Sequence, residues 1–234
     1  MVLHLAAMRH FREELEQLGF EVLYYPIEKE KSPEKPLECV DKGLREAIKK
    51  NKIKKLHWMQ PTDYDHWEVY GQLLEKLPCD VTLYENNMFI NSLDEFKEWE
   101  ESQDDLVMEN YYRIIRRKMG VLMEGDYPTG GRWNYDIENR VPPMENMDFP
   151  TLPELPEDKH TSEAIKLVKK LFDDFPGSAD NFMLPVTRQA TLDWFQDFVD
   201  KRLRLFGMYQ DAMVKENWYM YHAIISPMMN IGLI

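Results

Sequence analysis

Cysteine is nearly absent from this 234-residue sequence, with Cys39 and Cys79 the only two. Two thiols so far apart in sequence build neither a disulfide framework nor a zinc site, and they fit a reducing, cytoplasmic setting. Long apolar runs are missing as well. None reaches the roughly 18 to 20 residues that cross a bilayer, and no signal peptide opens the chain, so the sequence reads as soluble with no membrane partner. Positive charge is in deficit: 29 Lys and Arg stand against 42 Asp and Glu, a net charge of −13. That balance excludes a chain-wide phosphate-binding surface and leaves room only for a local basic patch.

Several catalytic signatures are missing too. His4, His10, His57, His66, His160 and His222 fall into no HExxH-type spacing, which leaves a zinc hydrolase without support. No GxGxxG fingerprint occurs, and in GDYPTGGR (residues 125–132) Gly131 stands where a phosphate-binding P-loop needs lysine. Carboxylates are abundant but unpaired for acid–base work. Asp63 and Asp65, beside His66, read as a solvated loop feeding a helix N-terminus.

What is present is a foldable pattern. Hydrophobic residues at 44% and aromatics at 12% can fill the core of one or two domains. Residues 1–18 carry Leu3, Ala7, Phe11, Leu15 and Leu18 at helical spacing, with Gly19 as the stop. Strands are predicted at 20–25, 56–59 and 80–84. They alternate with helices at 36–51, where Leu37, Val40, Leu44 and Ile48 share a face, and at about 65–77. This alternation predicts an α/β fold with a parallel sheet and right-handed crossovers. Ser92 and Glu95 form a capping-box pattern. A helix at about 106–119 places Met108, Tyr111, Tyr112, Ile115 and Met119 on one face, Arg113 and Arg117 on the other, and Arg116 at the flank. A solvated basic face and a binding role are both open for these arginines.

The densest stretch is GGRWNYDIENR (residues 130–140), which packs glycine freedom, cations, aromatics, amides and acids into one run. It reads as a junction clamp between the α/β portion and the helical portion C-terminal to it. A Pro-rich acidic linker (141–159) leads to an amphipathic helix at 161–175. Thr187 then caps a long helix with Leu192, Phe195, Val199, Leu203 and Phe206 buried, predicted to end at Gly207. Arg202 interrupts that stripe and is expected to pair with an acid such as Asp211. The tail ends on Ile224, Ile225, Met228, Met229, Ile231, Leu233 and Ile234, an apolar run expected to need a partner surface, either a second polypeptide or self-association. Ser226 precedes Pro227 and reads as an N-cap with open backbone N–H groups just beyond it, a feature that attracts phosphate although an N-cap serine is usually only a cap.

Six segments together resemble one family, the photolyase and cryptochrome superfamily in its bacterial, iron–sulfur, photolyase-related branch. They are AMRHF (7–11), RIIRRKMGVL (113–122), GGRWNYDIENR (130–140), PVTRQA (185–190), FGMYQDAM (206–213) and YHAIISPMMNIGL (221–233). The resemblance implies an incomplete Rossmann-like antenna domain (1–129), a junction and linker (130–160), and the first helices of an all-helical FAD-binding domain (161–234). It implies light-driven repair of UV-damaged DNA, in particular (6-4) photoproducts, or cryptochrome signalling, with a lumazine-type antenna. The flavin-contacting positions it assigns are Tyr209, His222, Ala223, Ile225, Ser226 and Asn230. Members of the family begin upstream of the first helix here and continue beyond Ile234. Repair by this chain alone is therefore not expected, and two cysteines cannot supply the four ligands of the family's cluster. The rival reading is a non-catalytic assembly module that pairs its apolar tail with another chain.

Overall fold

The computed structural model describes residues 1–27 and 36–234, with side chains from Val40 onward in the second stretch. The expectations for Leu37 and Cys39 thus lie outside the described side chains. The chain divides into two compact units, one of Leu23–Leu106 and one that joins Met1–Val22 to Val107–Ile234.

The first unit contains α2 (Pro36–Asn51), β1 (Lys55–Met59), α3 (Tyr64–Leu74), β2 (Asp80–Tyr84) and α4 (Leu93–Glu101). β1 and β2 pair in parallel, from Lys55 opposite Asp80 to Met59 opposite Tyr84, with α3 as the connection a parallel pair requires. The Asp63 carboxylate caps α3 by accepting the His66 N–H at 3.0 Å and also contacts the His66 ring, so its role is structural. Ser92 and Glu95 close the expected capping box on α4. Asn86 donates to the Gln60 carbonyl at 2.7 Å and ties together the loops that leave the two strands. The strand predicted at 20–25 does not form. A strand needs a neighbour to satisfy its backbone, and among the described residues none pairs with this segment.

The second unit is built on α1 (Val2–Gln17) packed against α6 (Lys159–Leu171). Ala6 and Ala164, both fully buried, sit with Val2, Leu3 and Val186 in the cluster that joins them. Small side chains let the helices approach closely, and this sets the rotation of α1. Val2, Leu3, Ala6, Ala7 and Arg9 face inward, whereas Phe11 (58% exposed) and Leu18 (68% exposed) of the expected stripe face out. Polar groups cross the same contact in both directions. His10 of α1 meets Asp158 at 2.8 Å, His160 of α6 meets Glu13 at 2.8 Å, and Arg9 reaches Glu163 at 3.5 Å. Ile231 and Leu233 pack against this cluster, Met228 is fully buried, and Arg188 donates to the Leu233 carbonyl at 3.0 Å. The apolar tail is therefore covered in part on its own unit: Met228 is buried, Ile224, Ile225, Ile231, Leu233 and Ile234 are half-buried, and Met229 is exposed.

α5 (Met108–Met119) ends in a left-handed Gly120. Arg116 is buried, not flanking. Its guanidinium donates to the carbonyls of Val121 (3.2 Å), Leu122 (2.6 Å) and Trp133 (3.2 Å). Arg113, Arg116 and Arg117 all lie over the Trp133 ring, Arg117 nearest at 4.6 Å from its centroid. The short strands β3 (Met123–Glu124) and β4 (Tyr127–Pro128) form an antiparallel pair before the glycines. Gly130 has φ 78°, and a Cβ there would lie 2.2 Å from the Tyr135 hydroxyl, which donates to the Gly130 carbonyl. Only glycine satisfies both demands.

The long helix expected after Thr187 is broken at Arg202 into α7 (Arg188–Lys201) and α8 (Leu203–Tyr209), which runs through Gly207 without stopping there. Arg202 is fully buried and pairs with Asp197 at 3.1 Å. Asp211, the partner expected for it, instead accepts from Asn139 and Arg140. Burial lowers the pKa of the Arg202 guanidinium while the Asp197 charge opposes that shift.

Both buried charges are open to test. Asp197→Ala leaves a buried guanidinium without its counter-ion and should cost about 3 kcal/mol, whereas Arg202→Met, which keeps the volume and leaves Asp197 with Lys201, should cost about half as much. Urea titrations of the two variants decide it, and equal losses would remove the ion pair from the account. At Asp158, burial raises the carboxyl pKa, but hydrogen bonds from Thr161, His10 and the His160 N–H outweigh burial and hold it at about 2. A carboxyl depressed from 3.8 stabilises the fold above pH 4, and that contribution is lost as pH falls toward 2. Wild type should therefore exceed Asp158→Asn by on the order of 1 kcal/mol at pH 5, allowing for screening, with the gap closing near pH 2. A gap that is independent of pH would count against this cap.

Candidate functional site

Tyr209 and the 221–233 segment gather at the C-terminal end of the second unit. Tyr209, Met220 and Tyr221 form a buried cluster, with Val141, Phe149, Phe206 and Val214 packed around it. Tyr209 stacks on Tyr221 at 5.4 Å between centroids, and Phe149 meets Tyr221 edge-on at 5.5 Å. Burial, with the Tyr209 phenol nearby, pushes the Tyr221 phenol pKa up. The junction motif reaches this cluster through the backbone. Asp211 N–H donates to the Asn139 carbonyl and Val141 N–H to the Met208 carbonyl, both at 3.0 Å. The 130–140 motif thus ties α5 to the segment that carries Tyr209.

Beyond Tyr221 the chain makes a tight, strained turn. The His222 ring contacts the Gln210 carbonyl at 3.0 Å and meets Phe206 edge-on at 5.3 Å. The Ala223 carbonyl accepts from the indole N–H of Trp194 at 2.9 Å. Ile224 then adopts φ 56°, a left-handed conformation that a β-branched residue rarely takes. The Ile225 carbonyl accepts from Met228 N–H and Met229 N–H, both at 3.0 Å, so Ile225 and not Ser226 is the N-cap of α9 (Ser226–Asn230). Ser226 is the first helical residue, its side chain makes no capping bond, and a five-residue helix carries little dipole. Asn230, at the far end of α9, is exposed.

A flavin diphosphate requires converging donors free of protein acceptors. Among the described residues, the backbone N–H groups of Ala223, Ile224, Ile225 and Ser226 have no protein acceptor, and the Ser226 side chain is exposed beside them. That donor set fits an anion. The serine cap expected there does not form, and the N–H groups without a described protein acceptor flank the left-handed Ile224. Trp194, beside the stripe expected on this helix, gave no sign in the sequence of its polar contact; Leu192, Phe195 and Leu203 of that stripe are exposed, and it is Trp194 that is buried.

Two cavities lie in the same unit, and neither is lined by Tyr209, His222, Ala223, Ile225, Ser226 or Asn230. One, of about 420 Å³, borders Met147, Phe149, Val214 and Asn217 beside the tyrosine cluster. The other, of about 470 Å³, brings together AMRHF, PVTR and NIGL through Met8, Phe11, Val186, Arg188, Ile231 and Leu233. Among the described residues no group of three His, Cys, Asp or Glu is arranged to hold a metal ion. No described helix is long and apolar enough to cross a membrane.

Comparison with known proteins bears on this arrangement. The chain is similar to a (6-4) photolyase of Agrobacterium fabrum, 34% identical over 234 residues, which covers 98% of this chain and 44% of that protein. It is also similar to an uncharacterized protein of Acanthamoeba polyphaga mimivirus, 26% identical over 139 residues, 58% of this chain and 66% of that one. The chain thus spans less than half the length of the Agrobacterium photolyase. Residues 1–184 match the family model described as deoxyribodipyrimidine photo-lyase-related protein. With that match across more than half of the chain, and with the Agrobacterium photolyase similar along nearly all of it, the chain belongs to the deoxyribodipyrimidine photo-lyase-related family.

Proposed function

We propose that this chain is the antenna-side portion and first flavin-pocket wall of a light-dependent DNA repair flavoprotein. The observation that carries the reading is the 34% identity to a (6-4) photolyase across 98% of the chain. The parallel β1–α3–β2 unit supports a Rossmann-like assignment within residues 1–129, and the helices from α6 onward support a correspondence with the FAD-binding domain. Bound FAD would supply a photoexcited reduced flavin that donates an electron to a damaged pyrimidine pair. The residues of this chain would hold that cofactor without performing its chemistry.

In this reading the N–H groups of residues 223–226 and the Ser226 hydroxyl bind the diphosphate oxygens, replacing water that those donors would otherwise keep. His222 and Ala223 are held by backbone and indole contacts, and so fix the turn. Tyr209, locked against Tyr221, forms the rigid wall next to it. Asn230 contributes from the far end of α9. UV-damaged DNA is the substrate proposed for the whole protein, with lumazine as the antenna, and the cytoplasm is its proposed compartment.

The test is a visible spectrum of the purified chain after incubation with FAD and gel filtration. Retained flavin absorbance that drops several-fold in Tyr209→Ala is the expected result. A colourless protein eluting as a well-folded monomer would overturn the flavin assignment and leave a non-catalytic module.

A further inference from the structure

Trp194 is among the most deeply buried side chains of the second unit, 1% exposed, and its indole N–H directs its only donor to the Ala223 carbonyl, 29 residues away in sequence. A buried indole N–H needs an acceptor, and the carbonyls inside α7 are already engaged by the helix's own N–H groups, so the partner comes from elsewhere in the chain. The acceptor it has sits one residue before Ile224, the half-buried β-branched residue at φ 56°. A left-handed isoleucine costs free energy that the surrounding structure must supply. On its other side the turn is held by His222 against the Gln210 carbonyl and Phe206. From these two adjacent anchors onward, the N–H groups of residues 223–226 meet no described protein acceptor.

We infer that Trp194 is a positioning residue: its hydrogen bond holds the Ala223–Ile224 turn in the left-handed conformation that presents the anion-binding donors. This rests on the flavin reading for the identity of the anion, and on the turn itself for everything else. Without the bond, Ile224 relaxes toward negative φ, and the 223–226 donors disperse before any ligand arrives. Trp194 touches no cofactor atom and acts through the backbone.

The experiment compares wild type, Trp194→Phe, and Trp194→Phe combined with Ile224→Gly in the full chain. FAD titration followed by flavin fluorescence gives one readout, and hydrogen–deuterium exchange at Met228 and Met229, whose amides bond to Ile225, gives the other. Phenylalanine keeps an aromatic ring and removes the donor. It should weaken FAD binding about fivefold and speed exchange at those two amides by a similar factor, the effect of one net hydrogen bond. Glycine accepts φ 56° without strain and should restore both. A Trp194→Phe variant that loses thermal stability but shows unchanged exchange at Met228 and Met229, or one that glycine does not rescue, would reduce Trp194 to a core residue and overturn the inference. If wild type binds no FAD, the flavin reading fails while the exchange limb still decides the role of Trp194. Should Trp194→Phe not fold, Ile224→Gly against Ile224→Ala decides: glycine must be the more protected of the two, and equality or the reverse order overturns the strained turn.

Discussion

Ala6 and Ala164 set the distance between α1 and α6, and most of the second unit depends on that distance. Because neither side chain extends beyond a methyl, the helices come close enough for His10, Glu13 and Arg9 to reach Asp158, His160 and Glu163 across the seam. Apolar contact and crossed polar contacts then reinforce one register. A larger residue at either alanine would force the helices apart, and the polar partners would separate before the apolar ones. The same seam receives Val186 from the segment before α7 and Ile231 and Leu233 from the tail. Two distant parts of the chain are thus ordered by one helix pair, and part of the tail is covered there.

The second organising centre is the 130–140 motif, and it works mainly through the backbone. Arg116 gathers three carbonyls, one of them that of Trp133, and the Trp133 ring in turn receives Arg113, Arg116 and Arg117. Arg113 is also paired with Glu109, whose carboxyl it holds below the usual carboxylate range, with Asn134 adding a second hydrogen bond. From the far end of the motif, Asn139 and Arg140 hold Asp211, two residues beyond Tyr209. The motif therefore connects α5 to the tyrosine cluster, with few of its own side chains in an apolar core.

How much of this was legible in the sequence depended on whether a feature was local. The capping box at Ser92 and Glu95, the Thr187 cap and the parallel pairing of β1 with β2 are set by neighbours in sequence or by a strong period, and all three are found. The inward face of α1 was legible only in part: Leu3 and Ala7 of the expected stripe are buried, but hydrophobicity favours Phe11 and Leu18, which face out, whereas close packing selects Ala6; periodicity cannot weigh a methyl's ability to let two backbones approach. The predicted strand at 20–25 has β-forming residues but finds no partner, and pairing is a non-local fact. Ser226 had the composition of a cap, yet Ile225 holds the cap geometry because its carbonyl is the first acceptor of α9. The N–H groups expected beyond Ser226 are not open, since Pro227 has none and those of Met228 and Met229 bond to the Ile225 carbonyl; the ones without a described protein acceptor lie at 223–226, around a left-handed isoleucine that no sequence rule anticipates.

Three buried arginines show why composition alone could not assign roles. Arg9 is matched by a carboxylate across a helix seam, and Arg116 by neutral carbonyls and aromatic faces. Arg202, fully buried at the break between α7 and α8, has one carboxylate for its Nη2 and, among the described residues, no hydrogen-bond partner for its Nε and Nη1. A guanidinium desolvated to that extent is tolerated only where it fixes something apolar residues cannot fix. Here the position is the break itself: Leu205 N–H and Phe206 N–H both donate to the Arg202 carbonyl, so the residue that ends α7 also starts α8. An apolar residue could fill the volume, and Asp197 would keep Lys201, but the buried guanidinium that orients the end of α7 would be lost. The direction of α8 sets where Phe206 and Tyr209 meet His222 and Tyr221. The cost of burying Arg202 is thus located at the hinge that aims two aromatic residues at the proposed cofactor turn.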